Sequence, residues 1–299
     1  LEEYVYFFRK NFEEELENLD KANFTVAIDT ANGATSVVAD KVFTKLGINH
    51  YIINNHPNGI NINDNCGSTH IEGLQKFVVE HKCNLGIAYD GDADRCLLVT
   101  NDGDVIDGDY VLAICGKYLK EKGRLNNNAI VGTVMSNLGL RKFCESENIN
   151  FVATKVGDRY VLEEMLDKVY VIGGEQSGHV IFKEYANTGD GELTSLMVLN
   201  ILSERKCKLS ELASIMDKYP QVLVNVNVTK EGKTSFGEDA EINVLIKKYE
   251  EELNGDGRIL IRASGTENLI RVMIEGKNTE EISRMATDIA DLINKKFGI

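Results

Sequence analysis

Three aspartates alternate in one short run, Asp90-Gly91-Asp92-Ala93-Asp94-Arg95, directly behind the apolar stretch Leu85-Gly86-Ile87-Ala88-Tyr89. Carboxylates at every second position of a tight turn repel one another unless a hard cation lies between them. Mg2+ takes oxygen ligands and keeps open positions for water or phosphate. Asp90, Asp92 and Asp94 are therefore candidate metal ligands, with a solvated acidic turn as the alternative. In a second run, Gly173-Gly174-Glu175-Gln176-Ser177-Gly178-His179, Glu175 and Ser177 offer the paired acceptor and donor that vicinal hydroxyls require. His179 can orient a substrate or move a proton. A third run, Arg262-Ala263-Ser264-Gly265-Thr266-Glu267-Asn268, with Arg271 just beyond, combines hydroxyls, backbone N–H groups freed by glycine and guanidinium groups in an anion nest. In a fourth, Lys155-Val156-Gly157-Asp158-Arg159, Lys155 and Arg159 can meet an anion at a helix start. The plainer readings are a glycine-rich turn, a polar hairpin loop and a simple strand-to-helix connection.

These runs need elements to hold them. Apolar residues at three- and four-residue steps predict a helix over residues 1–20. Strands follow at 24–29, 48–53 and 85–89, alternating with helices at 34–46 and 71–81. The pattern then restarts, with helices at 110–119, 138–147, 160–166, 193–202 and 209–216 and strands at 129–134, 151–154 and 170–172. Such alternation predicts largely parallel, mixed sheets with helices on their faces. Beyond Tyr219 the texture changes. Val222, Val224, Val226 and Val228 mark a half-buried strand, a helix spans 240–253, residues 258–262 and 269–275 form a hairpin, and a helix closes at 280–297. The fold class expected is two consecutive α/β domains, 1–104 and 105–217, and a smaller α+β domain, 218–299. The metal loop, the hydroxyl-binding loop and the anion loop fall in them in that order.

Composition narrows the function. The 299 residues carry a formal net charge of -14 and show no Lys/Arg cluster, which argues against nucleic-acid partners. No apolar run is long enough to span a bilayer, which argues against a membrane role. Six cysteines without a CxxC pair read as free thiols of a reducing cytoplasm. The start, Leu1-Glu2-Glu3-Tyr4, resembles neither a secretory leader nor a natural beginning.

In this order and at these separations, the four loops resemble the α-D-phosphohexomutase superfamily across essentially the whole chain. Within it, Gln176, the stretch Asn61 to His70 and the run Thr133 to Gly139 are similar to the bacterial phosphoglucosamine mutase branch, and the turn Asp29 to Ala34 matches the family's second domain. The resemblance implies Mg2+ on Asp90, Asp92 and Asp94, with Arg95 near a phosphoserine and Arg95 and His179 in catalytic positions. It implies substrate binding by Gly157, Asp158, Arg159, Glu175, Ser177 and His179, and phosphate binding by Arg262, Ser264, Gly265, Thr266 and Arg271. The implied reaction interconverts glucosamine 6-phosphate and glucosamine 1-phosphate through a phosphoserine and a bisphosphate intermediate. Glucose and mannose phosphates are the alternative substrates, and a homodimer is an open expectation.

Two departures stand out. Ala263 and Asn268 occupy positions where family members often have proline, which loosens the anion loop. The family's phosphoserine loop, of SHNP type, does not occur in these residues. The chain then corresponds to family domains two, three and four, and is expected to be inactive without the first. Two other readings remain open: a phosphatase of haloacid-dehalogenase type with Asp90 as nucleophile, and a non-catalytic phosphosugar-binding module.

Overall fold

The computed structural model describes residues 2–12, 24–265 and 267–299. In chain order the first sheet region contains α1 (Glu2–Phe12), β1 (Thr25–Asp29), α2 (Ala39–Lys45), β2 (Asn49–Ile53), α3 (Glu72–His81), β3 (Leu85–Tyr89), β4 (Cys96–Thr100) and β5 (Val105–Ile106). The second contains α4 (Gly108–Glu121), β6 (Ala129–Thr133), α5 (Leu138–Ser146), β7 (Asn150–Thr154), α6 (Asp158–Lys168), β8 (Ile172–Gly174), β9 (Val180–Phe182), α7 (Gly191–Arg205) and α8 (Leu209–Ala213). The last contains β10 (Gln221–Asn227), α9 (Lys230–Ser235), α10 (Ala240–Leu253), β11 (Gly257–Ala263), β12 (Leu269–Gly276) and α11 (Thr279–Phe297).

The first sheet runs β2-β1-β3-β4-β5. β1 lies parallel to β2 and β3, whereas β3, β4 and β5 pair antiparallel. The second sheet, β7-β6-β8-β9, repeats the design: two parallel pairs, then an antiparallel β9. The third sheet, β10-β12-β11, is antiparallel throughout. The mixed α/β class with a smaller α+β end is the one expected.

Contacts divide the chain into two compact units. One comprises Leu1–Ser136 with Leu140–Asp217, the other Lys218–Ile299 with the tripeptide Asn137–Gly139. In the first unit both sheets share one hydrophobic core, in which α7 is buried from Gly191 to Ser203. A helix buried on every side carries no amphipathic stripe, and α7 packs on α4, β4 and β9. The second unit has its own core, in which Val226, Ile270, Val272 and Ile274 of the sheet meet Ile282, Met285, Ile289 and Ile293 of α11. No helix among the described residues is long and apolar enough to cross a membrane.

Several expectations are corrected. The helix expected over 34–46 is a 3-10 turn, Ala34–Val37, followed by α2. The run Thr35-Ser36-Val37-Val38 explains the break, because β-branched and hydroxyl side chains resist helical backbone. The strand expected at 170–172 forms at Ile172–Gly174 instead. β4, β5, β9 and α9 were not expected. Of the helix expected over 1–20, residue 1 and residues 13–20 lie outside the described residues.

Candidate active site

β3 is buried at all five positions and delivers Asp90 at its carboxyl end, where open α/β sheets bind ligands. The backbone doubles back at once. Ala93 takes φ 66°, and its N–H donates to the Asp90 carbonyl. One oxygen from each of Asp90, Asp92 and Asp94 lies within 4.8 Å of the other two. Asp90 is buried, Asp94 half-buried and Asp92 exposed. Arg95 balances part of this charge: its backbone N–H donates to Asp90 Oδ1 at 3.1 Å, and its Nε lies 3.1 Å from Asp90 Oδ2 and 3.5 Å from Asp94 Oδ1. Burial, with Asp94 and Asp92 adding to it, pushes the Asp90 carboxyl up to about 6 against the pull of Arg95. Asp94 Oδ1 is buried without a hydrogen bond. An all-oxygen donor set with an orphaned buried oxygen and one accessible face fits a hard divalent cation such as Mg2+.

The loop after β8 lies against this turn. Arg95 and His179 form an antiparallel bridge, and Cys96 N–H donates to the Gly178 carbonyl at 3.1 Å. His179 is 3% exposed, and its Nε2 accepts from Gly189 N–H at 3.2 Å and lies 3.8 Å from Asp94 Oδ2. Accepting at Nε2 leaves the proton of a neutral ring on Nδ1, a buried atom without a partner. Glu175 Oε1 accepts from Gly157 N–H at 2.9 Å, so the loop before α6 is tied to the Glu175 loop. Ser177, Asp158 and Arg159 are exposed. Arg159 is turned along its own helix, with Nε 2.7 Å from Glu163. Asp90, Asp92, Asp94, Arg95, Gly157, Glu175 and His179 are thus brought together in the first unit.

In the second unit, the register of β11 on β12 sets Arg262 opposite Arg271. Residues paired across a ladder share one face, and like charges there are unfavourable without an anion. Burial first, and Arg271 second, hold the Arg262 guanidinium below its ordinary value. Among the described residues, Arg271 has a long contact to Glu267, 3.6 Å, and its Nε is buried without a partner. Ser264 is buried, and its Oγ accepts from Glu267 N–H at 3.3 Å. Gly265 is exposed, and Thr266 lies outside the described residues.

Sequence reasoning passed over two supports. The turn Thr188-Gly189-Asp190-Gly191 reaches behind the metal loop. Gly189 N–H meets His179, Gly191 N–H donates to the Ala93 carbonyl at 2.8 Å, and Asp190 caps α7 through Leu193 N–H. Asp29, at the end of β1, collects Ala31 N–H, Asn54 Nδ2 and Gly67 N–H, each at 2.9 Å. The turn it anchors meets the metal loop where Ala34 N–H donates to the Gly91 carbonyl at 2.8 Å. A Cβ on Gly33 would collide with that carbonyl. An aspartate at a strand end followed by Asn-Gly was the available signal for Asp29.

Family models for phosphoglucomutase/phosphomannomutase match almost the whole chain: alpha/beta/alpha domain II at residues 2–103, alpha/beta/alpha domain III at 107–219 and the C-terminal domain at 223–292. The chain belongs to the phosphoglucomutase/phosphomannomutase family, within the α-D-phosphohexomutases. It is 54% identical over 277 residues to a phosphoglucosamine mutase of Clostridium tetani, covering 93% of this chain and 62% of the relative. To the Clostridium beijerinckii phosphoglucosamine mutase it is 51% identical over 297 residues, covering 99% of this chain and 65% of the relative. The chain thus spans under two thirds of the length of these relatives. A solved N-acetylphosphoglucosamine mutase of Aspergillus fumigatus, in complex with GlcNAc-6P and magnesium, shares the fold with a TM-score of 0.74 at 19% identity, over 96% of this chain and 69% of that one.

Proposed function

We propose that these residues form the metal-, sugar- and phosphate-binding part of a phosphoglucosamine mutase, interconverting glucosamine 6-phosphate and glucosamine 1-phosphate. The observation that carries the reading is the backbone bridge between Arg95 and His179, which joins the three-aspartate cluster to the Glu175 loop. Identity above 50% to curated phosphoglucosamine mutases supports the amino-sugar substrate over a hexose.

In this reading Asp90, Asp92 and Asp94 hold Mg2+, and Arg95 sets the orientation of Asp90 through its two contacts. Bound Mg2+ supplies Lewis-acid withdrawal of charge from a phosphoryl oxygen. Glu175, fixed through Oε1 by Gly157, keeps Oε2 for a sugar hydroxyl, and Ser177 supplies a second polar contact. Asp158 and Arg159 lie exposed at the start of α6, and Arg159 would leave its contact with Glu163 to meet the same ligand. His179 offers its Nδ1 proton from a buried ring. Arg262 and Arg271, with Ser264, Gly265 and Thr266, bind the substrate phosphate. The seryl phosphate lies outside these 299 residues, so they alone bind and neutralise charge but do not complete the transfer. We further assign 1–104, 105–217 and 218–299 to family domains two, three and four. The described cysteines are all free thiols, which supports a cytoplasmic setting, and a homodimer belongs to the proposal for the full-length protein.

The test is a coupled mutase assay on the full-length protein that carries these residues. The reading expects kcat/KM for glucosamine 6-phosphate at least about tenfold above that for glucose or mannose 6-phosphate, a difference of about 1.4 kcal/mol. Equal or reversed preference would assign the site to a hexose phosphate. Phosphate trapped on Asp90 would assign it to a phosphatase.

A further inference from the structure

Behind the metal loop a cavity of about 380 Å³ is lined by Tyr4, Asp92, Asp94, Thr188, Asp190 and Glu192, among others. Among the described residues, Asp90 is not part of its wall and no Lys, Arg or His lines it. Glu192 stands in the first turn of α7 and is 1% exposed. Neither of its carboxylate oxygens has a hydrogen-bond partner. Its neighbour Asp190 differs, since it accepts from Tyr4 Oη at 2.9 Å on both oxygens and from Leu193 N–H. Asp94 Oδ1, on the same strongly acidic wall, is also buried without a hydrogen bond, but among the described residues of this wall Glu192 alone has both oxygens buried without a partner.

A buried carboxylate without a partner is costly and is relieved by a hydrogen-bond donor, a proton or a cation. Burial, with Asp190 adding to it, pushes Glu192 up to about 8, so a proton is one solution. The geometry offers another. The cavity holds room for an ion with its water shell, and Asp92 and Asp94 present further oxygen to it. Mg2+ characteristically binds through one or two carboxylates while retaining several waters. Among the described residues of the wall no lysine or arginine competes for this place.

We propose that Glu192 anchors a second, hydrated divalent cation in the cavity behind the Asp90–Asp94 loop, with Asp190 and Tyr4 as its outer partners. The ion would brace the back of the metal loop by screening Asp92 and Asp94 from Glu192. The inference rests on the reading of the aspartate cluster as a cation site only in that both ions share one loop.

Mn2+ is the probe, and electron paramagnetic resonance counts the ions bound by the 299-residue chain. The expected count is two. Glu192→Gln removes one, with the second affinity falling at least about 100-fold, as loss of a direct ligand should exceed the effect of an outer-shell partner. Asp90→Asn, outside the cavity wall, removes the other and leaves the Glu192-dependent ion. Glu192→Leu is a second variant in case the amide disturbs folding, with circular dichroism reporting the fold of each. A count of one in the wild type that Asp90→Asn abolishes would overturn the second site and leave the aspartate cluster standing. A count of one that depends on Glu192 alone would sustain this proposal and sink the metal assignment of the cluster. Two ions retained by both Glu192 variants would also overturn it.

Discussion

Charge at single residues decides most of what this site can do. Asp90 is the most buried of the three aspartates, and its carboxyl is raised to about 6. Proton and cation compete for the same oxygens, so Mg2+ affinity at pH 5 should be about tenfold below that at pH 7.5, measured by calorimetry. Glu192 gives a stability signature of opposite use. Its folded value, about 8, lies above its ordinary 4.5. The native state therefore binds the extra proton, and this stability is fully present below 4.5 and lost as pH rises through about 8. In the presence of a chelator the melting temperature is expected to fall between pH 6 and 8.5, and Glu192→Gln should flatten that slope. The aspartate triplet was legible in sequence because alternation in a tight turn is a strong signal. Glu192 was not, since its meaning comes from burial against residues distant in the chain, such as Tyr4 and Asp92.

At the scale of elements, the loops work because backbones touch where side chains would not fit. A Cβ on Gly33 would strike the Gly91 carbonyl, and one on Gly108, at the start of α4, would strike the Glu175 carbonyl. The two substitutions should separate the functions. Gly33→Ala is expected to weaken Mg2+ binding about tenfold while costing about 1–3 kcal/mol of stability. Gly108→Ala should displace the Glu175 loop, weakening sugar phosphate binding by a similar factor with Mg2+ affinity retained. Calorimetry with each ligand distinguishes these outcomes. Most helices and parallel strands were legible from apolar periodicity. β9 was not, because three residues cannot display a period. β8 was displaced because Gly173 and Gly174 have poor strand character. Gly173 is in the strand because it admits the close approach of Met165 and Val161, a packing fact with no local trace. β4 follows the charged turn so closely that its five residues read as part of the loop.

At the scale of the whole molecule, the third sheet carries its own internal lock. Glu275 is fully buried and takes Arg258 Nε at 2.5 Å, Asn137 Nδ2 at 3.1 Å and Leu138 N–H at 3.0 Å. Removing one member of a buried pair leaves its partners unmatched, so Glu275→Ala should cost the second unit about 2–4 kcal/mol, read as faster hydrogen exchange in β10 and β12. The 299-residue chain by itself should bind glucosamine 6-phosphate yet show no turnover, a pairing that a direct assay on the purified chain checks. The order of the three sheets was readable from the changing periodicity, whereas the single core shared by the first two was not, since it depends on a helix with no polar face. The account finally stands on one cation among three carboxylates. Crystals of the chain soaked in millimolar Mn2+ should give an anomalous density peak bounded by Asp90, Asp92 and Asp94, and lose it in Asp90→Asn. Aspartate side chains directed away from one another, with no peak between them at that concentration, would contradict it.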